Sequence, residues 1–232
     1  MGTRSLAQPT RIDLAGSSVR ELNQALHRAP AGSSWEVVHP DGAHALAVGL
    51  TEPIAVRIEG HVGYFAAGMN EQAAVEITGN AGVGVAENMM SGRVHVAGGA
   101  SQSAGATAHG GLLVIDGDAA ARCGISMKGV DIVVGGDVGH MSAFMAQAGT
   151  LVVCGDAGDG LGDSIYEARL YVKGEVASLG ADCVAKPMRP EHLKELARLL
   201  QAAGRTDDPS DFRRYGSARQ LYNFHVDNAF AS

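Results

Sequence analysis

Large side chains and charges are both scarce in this sequence. Aromatic residues make up 5% of the 232 positions, with a single tryptophan, and charged residues only 19%. A core built from bulky rings is thereby excluded. Cysteine is rare as well: Cys123, Cys154 and Cys183 form no CxxC pair and leave an odd thiol, which excludes a disulfide framework and suits a reducing compartment, with the thiols as small buried groups. No stretch approaches 18 consecutive apolar residues, and residues 1–12 lack an apolar core of the signal-peptide kind. Neither membrane insertion nor export is expected, and the cytoplasm is the expected location. With 25 acidic against 18 basic residues and no long basic run, nucleic acid is excluded as the main ligand.

What is present is apolar and small. Apolar residues reach 46%, enough to exclude disorder over most of the length. Glycine contributes 32 residues, about twice average usage. The interior must therefore combine Val, Ile, Leu and Ala with closely approaching backbone.

The glycines are periodic. Gly60, Gly79, Gly98, Gly117, Gly136, Gly155 and Gly174 recur every 19 residues without insertion or deletion, giving seven copies of one unit. Four residues before each stand Val56, Val75, Val94, Leu113, Ile132, Leu151 and Leu170. Two before stand Ile58, Ile77, Val96, Ile115, Val134, Val153 and Val172. All are branched aliphatics at a spacing of two, which predicts a short strand with these side chains on one face and the glycine as a structural turn behind it. Two residues after the glycine a small apolar residue returns, as at Val62 and Ala81, and seven after it only Gly or Ala is found, from Ala67 to Ala181.

Nineteen residues cannot hold a strand and a crossover helix. Each unit is thus one coil, and stacking the coils at about 4.8 Å pairs equivalent strands in parallel over roughly 30 Å. The expected fold is all-β: a right-handed parallel β-helix of about seven coils with short flanking helices. A left-handed hexapeptide helix fits less well, because 19 is not a multiple of six.

Three segments follow: an N-terminal helix and cap over residues 1–54, the β-helix over 55–187, and a C-terminal helix with an aromatic tail over 188–232. Residues 18–29 open with a capping box, Ser18 and Glu21, and carry Val19, Leu22, Ala25 and Leu26 on one face. Residues 35–50 resemble a degenerate first coil or an edge sheet. A second helix over 191–203 follows Pro190, presents Leu193, Leu196, Leu199 and Leu200, and stops at Gly204. The tail from 205 onward reads as mostly irregular.

Candidate chemistry is sparse. One residue after each repeat glycine lie His61, Asn80, Gly99, Asp118, Asp137, Asp156 and Glu175. They would stack into an acidic edge, either a cation ladder or, as we favour, acceptors for turn backbone. His61, His95, His109 and His140 occupy four different phases of the coil, so the repeat assembles no metal cluster from them. Strings such as GNAGVG and GDAGDGLG resemble phosphate loops, but no following helix is predicted to present its N-terminus, and the period already explains their glycines. Asp116, Lys128 and Asp131 are the loose candidates for acid–base work of the carbohydrate-cleaving kind. No catalytic, cofactor or metal site is assigned to this chain.

Two surface features suggest contacts. Three residues before the glycine the series runs Arg57, Glu76, His95, Val114, Val133, Val152, Tyr171. Its apolar half should be covered, by the chain's own Leu-rich helix or by a partner, and the helix is favoured. The tail holds Phe212, Tyr215, Tyr222, Phe224 and Phe230, with Arg213, Arg214 and Arg219 interleaved. This composition suits a docking arm, so that a chain cut after Gly204 would keep its solenoid and lose its partners. The alternative is that the tail folds onto its own solenoid.

The run GNAGVGVAENMMSGRVHVAGGASQSAGATAHGG, with GISMKGVDIVVGGDVGHMSAFMAQAG and GDAGDGLGDSIYEARLYVKGEVASLGADC, resembles the GXGXG domain. That domain forms the C-terminal β-helix of glutamate synthase and the β-helix subunit of formylmethanofuran dehydrogenase. The flanks VRELNQAL, WEVVHPDGAHALAVGL and FRRYGSARQLYNFHVDN are more similar to the free-standing GXGXG subunits of N-methylglutamate synthase, the methylamine–glutamate N-methyltransferase. The resemblance implies a cytoplasmic hetero-oligomer that makes N-methylglutamate from glutamate and methylamine with release of ammonium. It implies two partners, an amidotransferase-like subunit and a glutamate synthase-like subunit. The latter carries FMN, with an iron–sulfur cluster as a second candidate. This chain would be the inactive structural subunit. The other reading is a scaffold in a formylmethanofuran dehydrogenase-type formyl-transfer complex.

Overall fold

A computed structural model describes residues 8–218 of the chain. Its elements in chain order are β1 (Thr10–Asp13), α1 (Val19–His27), β2 (Ser34–Val38), β3 (Ala55–Glu59), β4 (Ala74–Ile77), β5 (Arg93–Val96), β6 (Leu112–Ile115), β7 (Lys128–Val134), β8 (Ala148–Val153), β9 (Arg169–Val172), β10 (Cys183–Lys186), α2 (Pro190–Ala202) and β11 (Arg213–Ser217). A single 3-10 turn, Pro209–Asp211, precedes β11.

The fourteen aliphatics that predict the strands are all buried, and each stacks on its equivalent one coil away: Val56 on Val75, Val94 on Leu113, Ile132 on Leu151. The result is a parallel β-solenoid of about seven turns, its strands joined into one sheet in the order β1-β2-β3-β4-β5-β6-β7-β8-β9-β11-β10. Past each corner, Val62, Ala81, Ala100, Ala119, Val138, Ala157 and Val176 pair in parallel as a second, one-residue ladder.

The third wall is not extended. In six successive coils three residues at alternate positions take left-handed backbone: Phe65, Ala67 and Met69, then Gly84, Ala86 and Asn88, through to Gly160, Gly162 and Ser164. Their N–H groups still bond alternately to the coil above and the coil below, as in Ser103 N to Ala121 O at 3.0 Å and Gly105 N to Val85 O at 2.8 Å. The ladder is satisfied without strands. This explains the Gly/Ala column: its members face inward in a conformation that disfavours branched side chains, and a Cβ on Gly105 would come within 2.7 Å of Ile132.

The repeat glycines need a correction. Only Gly60 has positive φ among them, so the others are not left-handed turn residues. They are required because consecutive coils touch there: a Cβ on Gly79 would lie 2.6 Å from the carbonyl carbon of Gly60, and one on Gly155 would lie 2.7 Å from that of Gly136.

At the N-terminal end, of the two expected forms, the first coil is the one found. Residues 34–54 form an extra coil: β2 pairs with β3, Ala45 N donates to Tyr64 O at 2.7 Å, and Ala67 N to Leu46 O at 2.9 Å. Beneath it β1 extends the sheet, and α1, with the expected capping box of Ser18 and Glu21, inserts Leu22 and Leu26 into the core. At the other end the chain after 205 is not mostly irregular. β11 runs antiparallel between β9 and β10 and drives Tyr215 into the core. A strand therefore closes the C-terminal end, while α2 lies along the side.

Candidate functional site

The outer face of the sheet offers a sizeable depression and the clearest change of character. Over β6 to β9 it presents Val114, Val133, Val152 and Tyr171, and α2 covers them with Leu196, Leu199, Leu200 and Ala203, joined by Phe212. The chain's own helix thus covers the apolar stripe. The Tyr171 hydroxyl donates to Glu195 Oε2 at 2.7 Å, and its burial, then the hydrogen bond to that carboxylate, pushes the phenol's pKa well up. Arg93 Nη1 donates to Ala202 O at 2.7 Å, placing a cation on the negative end of the helix.

Where α2 ends, over β2 to β5, a cavity of about 510 Å³ remains. Ala55, Ala74, Val56 and Val75 form its floor, and Arg57, Glu76, Arg93 and His95 its walls. These charges engage one another. Arg57 pairs with Glu76 and, at 3.7 Å, with Glu59, while Arg11 lies 3.7 Å from Glu36. His95 Nε2 lies 2.9 Å from Asp116 Oδ2. A second such pair joins His39 and Asp13 at 2.8 Å, and the hydrogen bond to Asp13 raises the pKa of that imidazole. A histidine held by a carboxylate is half of a general-base constellation. Among the described residues neither ring bonds a hydroxyl or thiol nucleophile.

The remaining acid–base candidates are not brought together. Asp116 faces His95, Asp131 accepts from Arg198 at 3.4 Å, and Lys128 stands exposed at the start of β7, beside the irregularity at Gly129.

The acidic edge has a structural purpose in the solenoid. His61 Nδ1 accepts from Asn80 N at 2.8 Å, Asn80 Oδ1 from Gly99 N at 2.9 Å, Asp118 Oδ1 from Asp137 N at 2.8 Å, Asp137 Oδ1 from Asp156 N and Asp156 Oδ1 from Glu175 N, both at 2.7 Å. Each side chain caps the turn of the next coil. Among the described residues no three metal-ligating groups converge.

The thiols are equally quiet. Burial raises the pKa of Cys123 to about 12, and of Cys154 and Cys183 to about 11, the Asp207 charge adding to the effect at Cys154. At neutral pH they are thiols, not nucleophilic thiolates.

The proposed docking residues divide. Phe212 and Tyr215 are buried in the chain's own two cores, Phe212 beneath α2 and Tyr215 at the solenoid's end. Neither ring is available to a partner: β11 turns Tyr215 into the solenoid, and Phe212, just before that strand, packs on the opposite side under α2. Arg213 bonds Gly174 O and Glu175, and Arg214 donates to Pro187 O at 3.4 Å. Arg219, Tyr222, Phe224 and Phe230 lie outside the described residues.

Sequence reasoning missed a surface on the left-handed wall, where Tyr64, Phe65, Met69 and Met90 are each about half exposed and His44 stacks on Tyr64 with ring centroids 4.5 Å apart. Comparing neighbouring coils exposes the signal: Phe65 and Met69 stand where the next two coils use Gly84, Ser103, Asn88 and Thr107, large residues returning at Arg122, Met141 and Met145. Among the described residues, no helix is long and apolar enough to cross a membrane.

Among curated proteins, Protein GlxC of Rhizobium meliloti (strain 1021) is 62% identical over 224 residues, covering 95% of this chain and 98% of that protein. No family model matches the chain. No solved structure matches it either.

Proposed function

The chain belongs to the family of Protein GlxC, and from that premise we propose that it is the structural subunit of a glutamate synthase-like complex. The complex makes N-methylglutamate from glutamate and methylamine with release of ammonium, in the cytoplasm. The resemblance of the repeat and the flanks to the GXGXG β-helix of N-methylglutamate synthase points to this reaction. The physical support lies in how this chain uses its polar groups: the turn carboxylates cap backbone N–H groups one coil up, and the groove charges pair with each other. A rigid spindle with its side chains so engaged suits a brace between partners. The chemistry then falls to an amidotransferase-like subunit and an FMN-bearing synthase-like subunit. The three thiols lie in separate coils and are held protonated, so they do not form a ligand set for an iron–sulfur cluster, and such a cluster belongs with the partner.

Residues after Ala218 and the aromatic–methionine surface around Tyr64 are the contacts we assign to partners. Co-expression of the tagged chain with both candidate partners tests this. The full chain is expected to retain them, and a chain ending at Ala218 to lose at least one while keeping the native thermal transition. Undiminished co-purification of the truncated chain refutes the tail's part, and failure of the full chain to retain either partner refutes the complex.

A further inference from the structure

At the C-terminal end of the sheet, three cations from adjacent strands surround one depression of about 210 Å³: Arg169 of β9, Arg214 of β11 and Lys186 of β10. Lys186 and Arg214 are direct partners across the antiparallel pair, where like charges repel. The chain has few bases to spend, 18 against 25 acids. The neutralisation is nonetheless incomplete. Arg169 Nη2 lies 2.7 Å from Glu195, a carboxylate that already accepts from Tyr171, and Arg214 donates to a carbonyl at 3.4 Å. Lys186 forms no ion pair among the described residues, and the Nε–H groups of Arg169 and Arg214 are buried without an acceptor. Glu167, at the rim, is exposed.

The floor is Gly216. Tyr215 points into the core, so by strand alternation residue 216 points outward into the depression. A Cβ there would stand 3.7 Å from Ala168 O and 3.7 Å from Lys186 Cγ, in ordinary contact. Nothing in the local packing or in the backbone angle demands glycine, whereas a side chain would fill the space between the cations.

We infer that this depression is an oxyanion site, taking a phosphate monoester or a carboxylate between Lys186 and the guanidinium groups of Arg214 and Arg169 above Gly216. Guanidinium forks match the paired oxygens of either group, and an anion there removes the cross-strand repulsion. The inference does not depend on the proposed reaction.

The test is the thermal transition of the full chain at pH 7 and constant ionic strength, with chloride replaced stepwise by inorganic phosphate or by acetate, and repeated on Lys186→Met and Gly216→Val. A saturable rise in Tm with either anion in the low millimolar range, absent from both variants, is the expected result, because a ligand bound only by the folded state raises its stability. The more effective anion identifies the class. A general salting effect does not saturate there and is shared by the variants. No rise beyond chloride, or a rise that persists in either variant, overturns the site.

Discussion

Gly155 and Gly16 separate two reasons for glycine. A methyl at Gly155 would run into Asp137 Oδ1 and stand 2.7 Å from the Gly136 carbonyl carbon, whereas one at Gly16 meets nothing within 4 Å. Urea denaturation is expected to show Gly155→Ala destabilised by about 2 kcal/mol, the scale of overpacking, and Gly16→Ala unchanged within about 0.5 kcal/mol. Equal effects would refute backbone stacking as the reason for the period. The capping carboxylates allow a second comparison. Asp137→Ala removes the acceptor of Asp156 N and is expected to cost about 1 kcal/mol, as other lost backbone caps do; Asp137→Asn retains it, as Asn80 does for Gly99, and should be close to neutral. At this scale the sequence was legible in identity more than in cause. The strand aliphatics are branched because they stack inside, and periodicity shows that directly. The glycine column cannot reveal whether it serves a φ angle or a close approach, because both demands admit the same residue.

Among the elements, α2 and the segment after it hold the outer face. Leu199 is buried against Val133 and Val152 in the cluster beneath the helix, so Leu199→Ala is expected to cost about 2–4 kcal/mol in denaturant unfolding. A cost below about 1 kcal/mol would mean that the helix is not seated there. The return segment is tied down by Asp207, which accepts from Lys173 Nζ and Arg205 Nε, both at 3.0 Å. Burial acts to raise this carboxyl's pKa, but the two cationic donors outweigh it and hold it below 3.8. A depressed folded-state pKa contributes stability above the unfolded value that is lost as pH falls through the folded one. Wild type should therefore exceed Asp207→Asn in stability at pH 7, and the difference should shrink below pH 3.8. A difference that does not change between pH 7 and pH 2 contradicts the assignment. The two helices were legible from caps and leucine spacing, and α2 settles where it does because the stripe at Val114, Val133 and Val152 is as regular as its own leucines. β11 was not legible: Arg213–Ser217 carries two arginines and a glycine, and its strand conformation comes from pairing with β9 and β10, which local pattern does not record.

For the molecule as a whole, β11 changes what a truncation means. A cut after Gly204 removes Phe212 and Tyr215 from the two cores and is expected to lower Tm markedly, instead of leaving the solenoid intact. A cut after Ala218 should spare it. The seven-coil architecture was legible because a period without drift leaves one way to stack, while the aromatic–methionine surface was not, since only the fold shows that Tyr64, Phe65 and Met69 are exposed. The central claim is that this spindle is required for, but does not perform, the making of N-methylglutamate. Its most direct test is N-methylglutamate formation from glutamate and methylamine by the amidotransferase-like and FMN-bearing partners, assayed with this chain, without it, and with this chain alone. Turnover only in the three-subunit mixture is the predicted result; turnover by the isolated chain, or full turnover in its absence, would contradict it.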